Sequence, residues 1–237
     1  MPTFPATHHS VVAALASADV PTRERAVAEV LGVYRAPVIA VLRRRLGLDE
    51  SDAEDLAHDF FAAALERDWL ARYDANRGRF RTFLWRCLFA YASTAHERAT
   101  RKKRGGGVDH TSLDAVPMLQ DAALATAPAV DAFFDAEWRR SVLHAALQAL
   151  EAECQREDRR VTWEIFAALD LRGDTPADPP TYAELAARFD VPKTQVTNYL
   201  NWARRRLRAH VVETLRALTT SDAELDAEVR ALFSGHE

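Results

Sequence analysis

Cysteine is nearly absent: Cys87 and Cys154 stand 67 positions apart in 237 residues. Two thiols so placed make neither a disulfide framework nor a thiolate zinc site, and the expected compartment is a reducing cytoplasm. Glycine and proline are scarce, 8 and 10 residues, too few for a collagen-like or low-complexity chain. No apolar run approaches the roughly 18 residues that a membrane span needs. The start, MPTFPATHHS, lacks the basic and apolar regions of a signal peptide. Alternation with a period of two is missing, which argues against strands. Chemistry is thin too. His96-Glu97 has no second histidine to complete a zinc motif, and neighbouring His58 and Asp59 face different ways on a helix. No glycine loop for phosphates and no nucleophile–base pair is visible. The expectation is a protein that is not an enzyme and needs no metal or cofactor.

What is present favours helix. Alanine numbers 44 and arginine 28, against 3 lysines, and both abundant types are strong helix formers. A hydrophobic share of 48% with 28% charged residues describes a globular chain of one or two domains. The net charge of −4 is unevenly spread. Residues 1–106 carry 17 basic and 13 acidic groups, residues 107–135 five aspartates and no cation, and residues 136–237 carry 14 basic and 17 acidic groups. A basic block, an acidic connector and a second block read as two domains with a linker. The connector opens on Gly105-Gly106-Gly107, which a helix carries only at a cost. The expected fold is all-α: an N-terminal extension (1–21), a helical domain (22–106), a flexible acidic linker (107–135), a second helical domain with a helix-turn-helix (136–218) and a C-terminal extension (219–237).

Local signals place the helices. One runs from Thr22 to about Gly47, with a kink or break expected near Ala36 because Pro37 follows. Ser51-x-x-Glu54 reads as a capping box opening a helix to about Leu70, with Leu56, Phe60, Ala63 and Ala64 on its apolar face. A long helix is expected over Arg79–Arg104. Further helices are expected over Trp138–Cys154 and Arg159–Asp170, with a loop at 173–180. Thr181-x-x-Glu184 is a second capping box, before a short helix, a turn at Asp190–Pro192 and a longer helix from Lys193 to Leu218. Ser221-x-x-Glu224 is a third. It opens a C-terminal helix whose apolar face is Leu225, Val229, Leu232 and Phe233 and whose opposite face holds Asp222, Asp226 and Glu228. That apolar face is expected to pack on the end of the second domain; the alternative is a regulatory helix whose acidic face shields the basic Arg204–Arg208 cluster.

Four groups of residues stand out. The short helix, turn and long helix fit a helix-turn-helix. On the second helix Val196, Tyr199, Leu200, Ala203 and Leu207 face inward. Lys193, Thr194, Gln195, Thr197, Asn198, Asn201, Arg204, Arg205 and Arg208 are the DNA-contact candidates. Amides and hydroxyls near the helix start reach base edges, and arginines farther along reach phosphates. Asp52, Asp55 and Asp59, flanked by Glu54 and followed by Glu66, form an acidic stripe suited to a basic partner surface. Asn76, Arg77, Arg79, Phe80, Arg81, Trp85 and Arg86 interleave aromatic rings with guanidinium groups, the pairing that holds unstacked bases and their backbone. Several of these aromatics must also be core. Arg98, Arg101, Lys102, Lys103 and Arg104 crowd cations before the glycine break, as a phosphate contact would.

Taken in order, these segments resemble bacterial RNA polymerase sigma factors of the extracytoplasmic-function (ECF) group, which keep the second and fourth sigma regions joined by a linker. Asp52-Ala-Glu-Asp55-Leu56 with Phe60-Phe61 resembles the polymerase-docking helix. Phe80-x-x-Phe83-Leu84 resembles the promoter-melting segment, and Arg98–Arg104 the end of the −10-reading helix. Tyr182–Ala186 with Val196–Arg208 resembles the −35-reading helix-turn-helix, and Tyr34-Arg-Ala-Pro37 has its counterpart in the first helices. The resemblance covers about 22–104 and 140–216. It implies core RNA polymerase and promoter DNA as partners, an anti-sigma factor or other regulator as a further one, no membrane, and a cytoplasmic role in transcription initiation. The net negative charge predicts poor binding of the free chain to duplex DNA. Tethering both domains to polymerase lets two weak contacts give tight joint occupancy. A stand-alone helix-turn-helix regulator and a helical interaction adaptor are the alternatives. The first needs a dimer surface to read paired half-sites. Neither explains an acidic stripe beside a basic-aromatic one.

Overall fold

The computed structural model describes residues 11–103, 132–172 and 179–233, the side chains of 96–103 excepted. Among them are nine α-helices, two short 3-10 turns and no strand, so the all-α expectation is met. Linker aspartates Asp109, Asp114, Asp121 and Asp131, the loop 173–178 and Arg104 lie outside the described residues, as do the side chains of Arg98, Arg101, Lys102 and Lys103. The chain divides into two compact units, Met1–Ser141 with Leu215–Glu237, and Val142–Thr214.

The first unit opens on a single turn, α1 (Val11–Ala14), followed by α2 (Val20–Leu46). Asp19 caps α2 by accepting the Thr22 N–H at 3.1 Å, and Gly47 ends it with a left-handed φ of 64°, which glycine adopts at no steric cost. Of the kink or break expected near Ala36, the break does not occur: α2 is continuous through Pro37. Pro37 costs a backbone hydrogen bond. It is buried among Val33, Tyr34, Val38, Val41 and Leu42, and that packing outweighs the local penalty. α3 (Glu50–Glu66) starts before the expected box, because Asp49 takes the cap by accepting the Asp52 N–H at 2.9 Å. Ala53, Ala57, Phe60, Phe61, Ala63 and Ala64 form its buried face. It ends in a Schellman motif, Asp68 left-handed at φ 52° and the Trp69 N–H on the Ala64 carbonyl at 2.9 Å.

Two 3-10 turns, Leu70–Arg72 and Ala75–Arg77, lead into α4 (Phe80–Lys103). Between them and α4, Gly78 sits at φ 131°, a conformation essentially reserved for glycine. The Tyr73 hydroxyl donates to the Gly78 carbonyl at 2.8 Å and fixes this entry. Phe80, Leu84, Trp85, Cys87 and Leu88 of α4 are fully buried. Edge-to-face contacts link Tyr34 to Phe80 and Phe60 to Tyr91.

The next helix, α5 (Ala132–Arg156), begins six residues before the expected Trp138. Its start therefore takes in Asp135, which the sequence places in the linker. Phe134 packs on Trp85 at 5.3 Å between ring centroids, and Arg44 lies over Phe133 at 4.4 Å. The C-terminal helix, α9 (Asp222–Phe233), belongs to this same unit. Residues 215–218, the end of what the sequence reads as the second domain, fall in this unit with it. Its capping box is also modified. The Ser221 hydroxyl accepts the Glu224 N–H at 3.2 Å as expected, but the Glu224 carboxylate reaches the N–H and hydroxyl of Thr220.

The second unit takes its core from Leu150, Cys154, Ile165, Phe166, Leu185, Val196, Leu200 and Ala203. These come from α5, α6 (Arg160–Asp170), α7 (Tyr182–Arg188) and α8 (Lys193–Ala217). The Thr181–Glu184 capping box forms in both directions, Glu184 N–H to Thr181 Oγ1 at 3.2 Å and Thr181 N–H to Glu184 Oε2 at 2.7 Å. α7 ends in another Schellman motif, with Asp190 at φ 51° and the Val191 N–H on the Ala186 carbonyl at 3.0 Å. The turn at Asp190–Pro192 then leads into α8.

Candidate nucleic-acid interface

On α3 the inward and outward faces separate cleanly. Asp52, Asp55 and Asp59 are exposed and follow one another at helical spacing, while Ala53, Ala57 and Phe60 between them are buried. Glu54, half-buried, meets Arg35 of α2 at 3.5 Å. Glu50 and Asp52 in the first turn also favour the helix dipole. Asp55 and Asp59 lie beyond that turn.

The basic-aromatic segment divides. Asn76, Arg77 and Arg79 are exposed on the approach to α4. Phe80 and Trp85, read from the sequence as candidates for base stacking, have no exposed surface, so in this structure they are core. Helical spacing alone cannot separate a buried ring from a presented one. Arg81 departs furthest from expectation. It is buried, its Nη1 donating to Glu228 Oε2 at 3.1 Å and its Nη2 meeting Asp135 Oδ1 at 3.1 Å. Its guanidinium stacks over Trp138 at 4.1 Å. Arg79 Nη1 donates to the other oxygen of Glu228 at 3.0 Å. Arg86 is half-buried, and its Nε finds no acceptor among the described residues. Burial pushes the Cys87 thiol up to about 12, so it stays protonated and acts as a small apolar side chain.

On α8 the expected DNA-contact candidates lie outward. Lys193, Thr194, Thr197, Asn198, Asn201, Arg205 and Arg208 are exposed and Gln195 is half-buried. Arg204 is exposed but engaged: its Nε and Nη2 donate to the two oxygens of Asp170 at 2.7 and 2.8 Å. This fork geometry raises the guanidinium's pKa further and ties α8 to α6. Arg204, expected as a DNA contact, is therefore held by a partner within the chain.

Beneath α8 lies a charged cluster that the sequence reading missed. Glu153 of α5 is buried and receives Arg206 Nε at 2.8 Å and His210 Nε2 at 2.6 Å. Burial alone would raise the Glu153 carboxyl, but the hydrogen bonds from Arg206 and His210 hold it below the usual carboxylate range. His210 also meets Glu213 at 3.2 Å. Arg206 and His210 stand four apart on one face of α8, a signal that could have pointed to a shared acidic partner.

Among the described residues no cluster of three or more His, Cys, Asp or Glu is placed to hold a metal ion, and no helix is long and apolar enough to cross a membrane. Comparison with curated proteins and with solved structures finds no match. Residues 32–102, from the middle of α2 through the acidic stripe to the end of α4, match the family model for Sigma-70 region 2. Through that segment, the chain is similar to the sigma-70 family of transcription initiation factors.

Proposed function

We propose that this protein is a sigma factor of the ECF group, which binds core RNA polymerase in the cytoplasm and directs promoter recognition and opening. The observation that carries this reading is the exposed Asp52/Asp55/Asp59 row on α3, inside the segment that matches Sigma-70 region 2. A single-sign row on the outer face of a helix whose inner face is core suits docking on a basic surface of the polymerase. In this reading Asn76, Arg77 and Arg79, with the basic end of α4, meet the −10 element. The helix-turn-helix of 136–218 meets the −35 element through Lys193, Thr194, Thr197, Asn198 and Asn201, with Arg205 and Arg208 on the backbone. Residues 107–131 connect the two domains, and an anti-sigma factor or other regulator is a further partner.

The test is charge reversal. Asp55→Arg turns attraction into like-charge contact at the docking surface, at a cost of several kcal/mol, and the side chain is exposed, so folding should be unaffected. The variant is expected to keep its melting temperature and fail to co-purify with core polymerase. Co-purification at normal yield would remove the docking assignment.

A further inference from the structure

The sequence puts Glu228 on the solvent side of the C-terminal helix. The structure turns it inward: Glu228 is 3% exposed, while Phe233, expected on the apolar face, is 40% exposed. Leu225, Glu228, Val229 and Leu232 share the face of α9 that meets the first unit, Leu225 being buried and the last two half-buried. A carboxylate on such a face is costly unless it is paired. Glu228 is paired twice, one oxygen to Arg79 and the other to Arg81.

These two arginines flank the entry to α4, and Arg79 belongs to the segment placed on promoter DNA above. A carboxylate taking a guanidinium hydrogen bond on each oxygen offers what a phosphodiester offers: two anionic oxygens at hydrogen-bond distance. The arrangement is imperfect in one respect. Arg81 is buried, yet its Nε has no partner among the described residues, so the guanidinium holds an unused donor. A helix of twelve residues is marginal alone, and α9 is held by few large apolar anchors. Its seat is therefore weak enough to exchange.

We propose that α9 is an autoinhibitory clamp in which Glu228, seated on the buried Arg81, occupies Arg79 in place of a phosphate. The clamp releases when the backbone of an unpaired DNA strand competes for Arg79. This rests on the reading of Asn76–Arg86 as a DNA-contacting segment. Withdrawal of Glu228 frees the exposed Arg79, while Arg81 stays buried on Asp135 and Trp138.

The experiment compares the full chain with Glu228→Gln, Arg77→Ala and the double variant Glu228→Gln/Arg79→Ala. Binding of a fluorescent mixed-sequence single-stranded DNA is followed by anisotropy between 50 and 200 mM salt. Releasing Arg79 should tighten binding by roughly tenfold at the low-salt end and steepen the salt slope by about 0.7, one contact. The double variant should lose that added slope. If Glu228→Gln binds like the parent while Arg77→Ala binds more weakly, the clamp is wrong and the DNA-contacting segment stands. If neither variant alters binding, the segment is not a DNA contact and the clamp falls with it. Should Glu228→Gln fold poorly, hydrogen exchange on the unaltered chain decides. Saturating single-stranded DNA should speed exchange of the 222–233 amides, and unchanged protection there overturns the clamp.

Discussion

Replacing Glu153 by Gln removes the carboxylate charge that Arg206 and His210 of α8 share. The change keeps the shape and one acceptor, so packing is preserved and the loss is electrostatic. A hydrogen bond to a charged group contributes about 1.5–3 kcal/mol, and breaking a fully buried pair costs about 3–5 kcal/mol. Arg206 is 37% exposed and can turn to water, which favours the lower end. The expected cost is about 2 kcal/mol at pH 7, or roughly 8–16 °C in melting temperature for a unit of 60–100 residues. The pH dependence sharpens the test. The carboxyl is held below its ordinary value in the folded chain, so its stabilisation is complete above the unfolded value near about 4.3. That stabilisation fades as pH falls through the folded value. Thermal melts of parent and variant at pH 7 and at successively lower pH should therefore converge on the acid side. A difference that stays constant as pH falls would refute the ionised cluster as the cause.

Three other outcomes follow from particular residues. Asn198→Ala should change which −35 sequences are preferred. Arg205→Ala should weaken binding on all of them and lower the salt slope by about 0.9 for duplex DNA; a selection from random duplexes with each variant reads both. Trp85→Ala should cost about 3–5 kcal/mol of stability, because the ring is core against Phe134; unchanged stability with a selective opening defect would return it to the stacking set. Asp158 holds a left-handed φ of 53° after α5, with the Arg159 N–H on the Cys154 carbonyl. Asp158→Gly should therefore raise stability by about 0.5–1 kcal/mol, measured by chemical denaturation.

Where local chemistry and tertiary packing agree, the sequence was readable. Thr181 and Glu184 form the box their spacing predicts, and the inward residues of α8, Val196, Leu200 and Ala203, are the ones its periodicity marks. Disagreement arose where a distant partner decides. Pro37 predicts a break from its own ring and missing N–H, but the burial of its neighbours on α2 keeps the helix intact. Ser51 has the pattern of a cap, yet Asp49 stands two residues earlier and takes the role first. Asp135 looks like linker by charge, while Phe134 and Trp138, apolar and spaced at i and i+4, draw that turn onto the first unit. Glu228 could have been placed on the inner face from its i+3 relation to Leu225. Only the positions of Arg79 and Arg81 show why a carboxylate is tolerated there. The outer face of α3 was legible for the opposite reason, since an exposed row needs no partner within the chain to be recognised.

The central claim is that this chain confers promoter-dependent initiation on a polymerase that lacks it. Run-off transcription with purified core RNA polymerase over a library of genomic fragments, with and without the full chain, tests this directly. The account predicts discrete transcripts from a subset of fragments that share two spaced elements, present only when the chain is added and lost with Asp55→Arg. Transcription that is the same with and without the chain, from a polymerase that responds to another sigma factor, would contradict it.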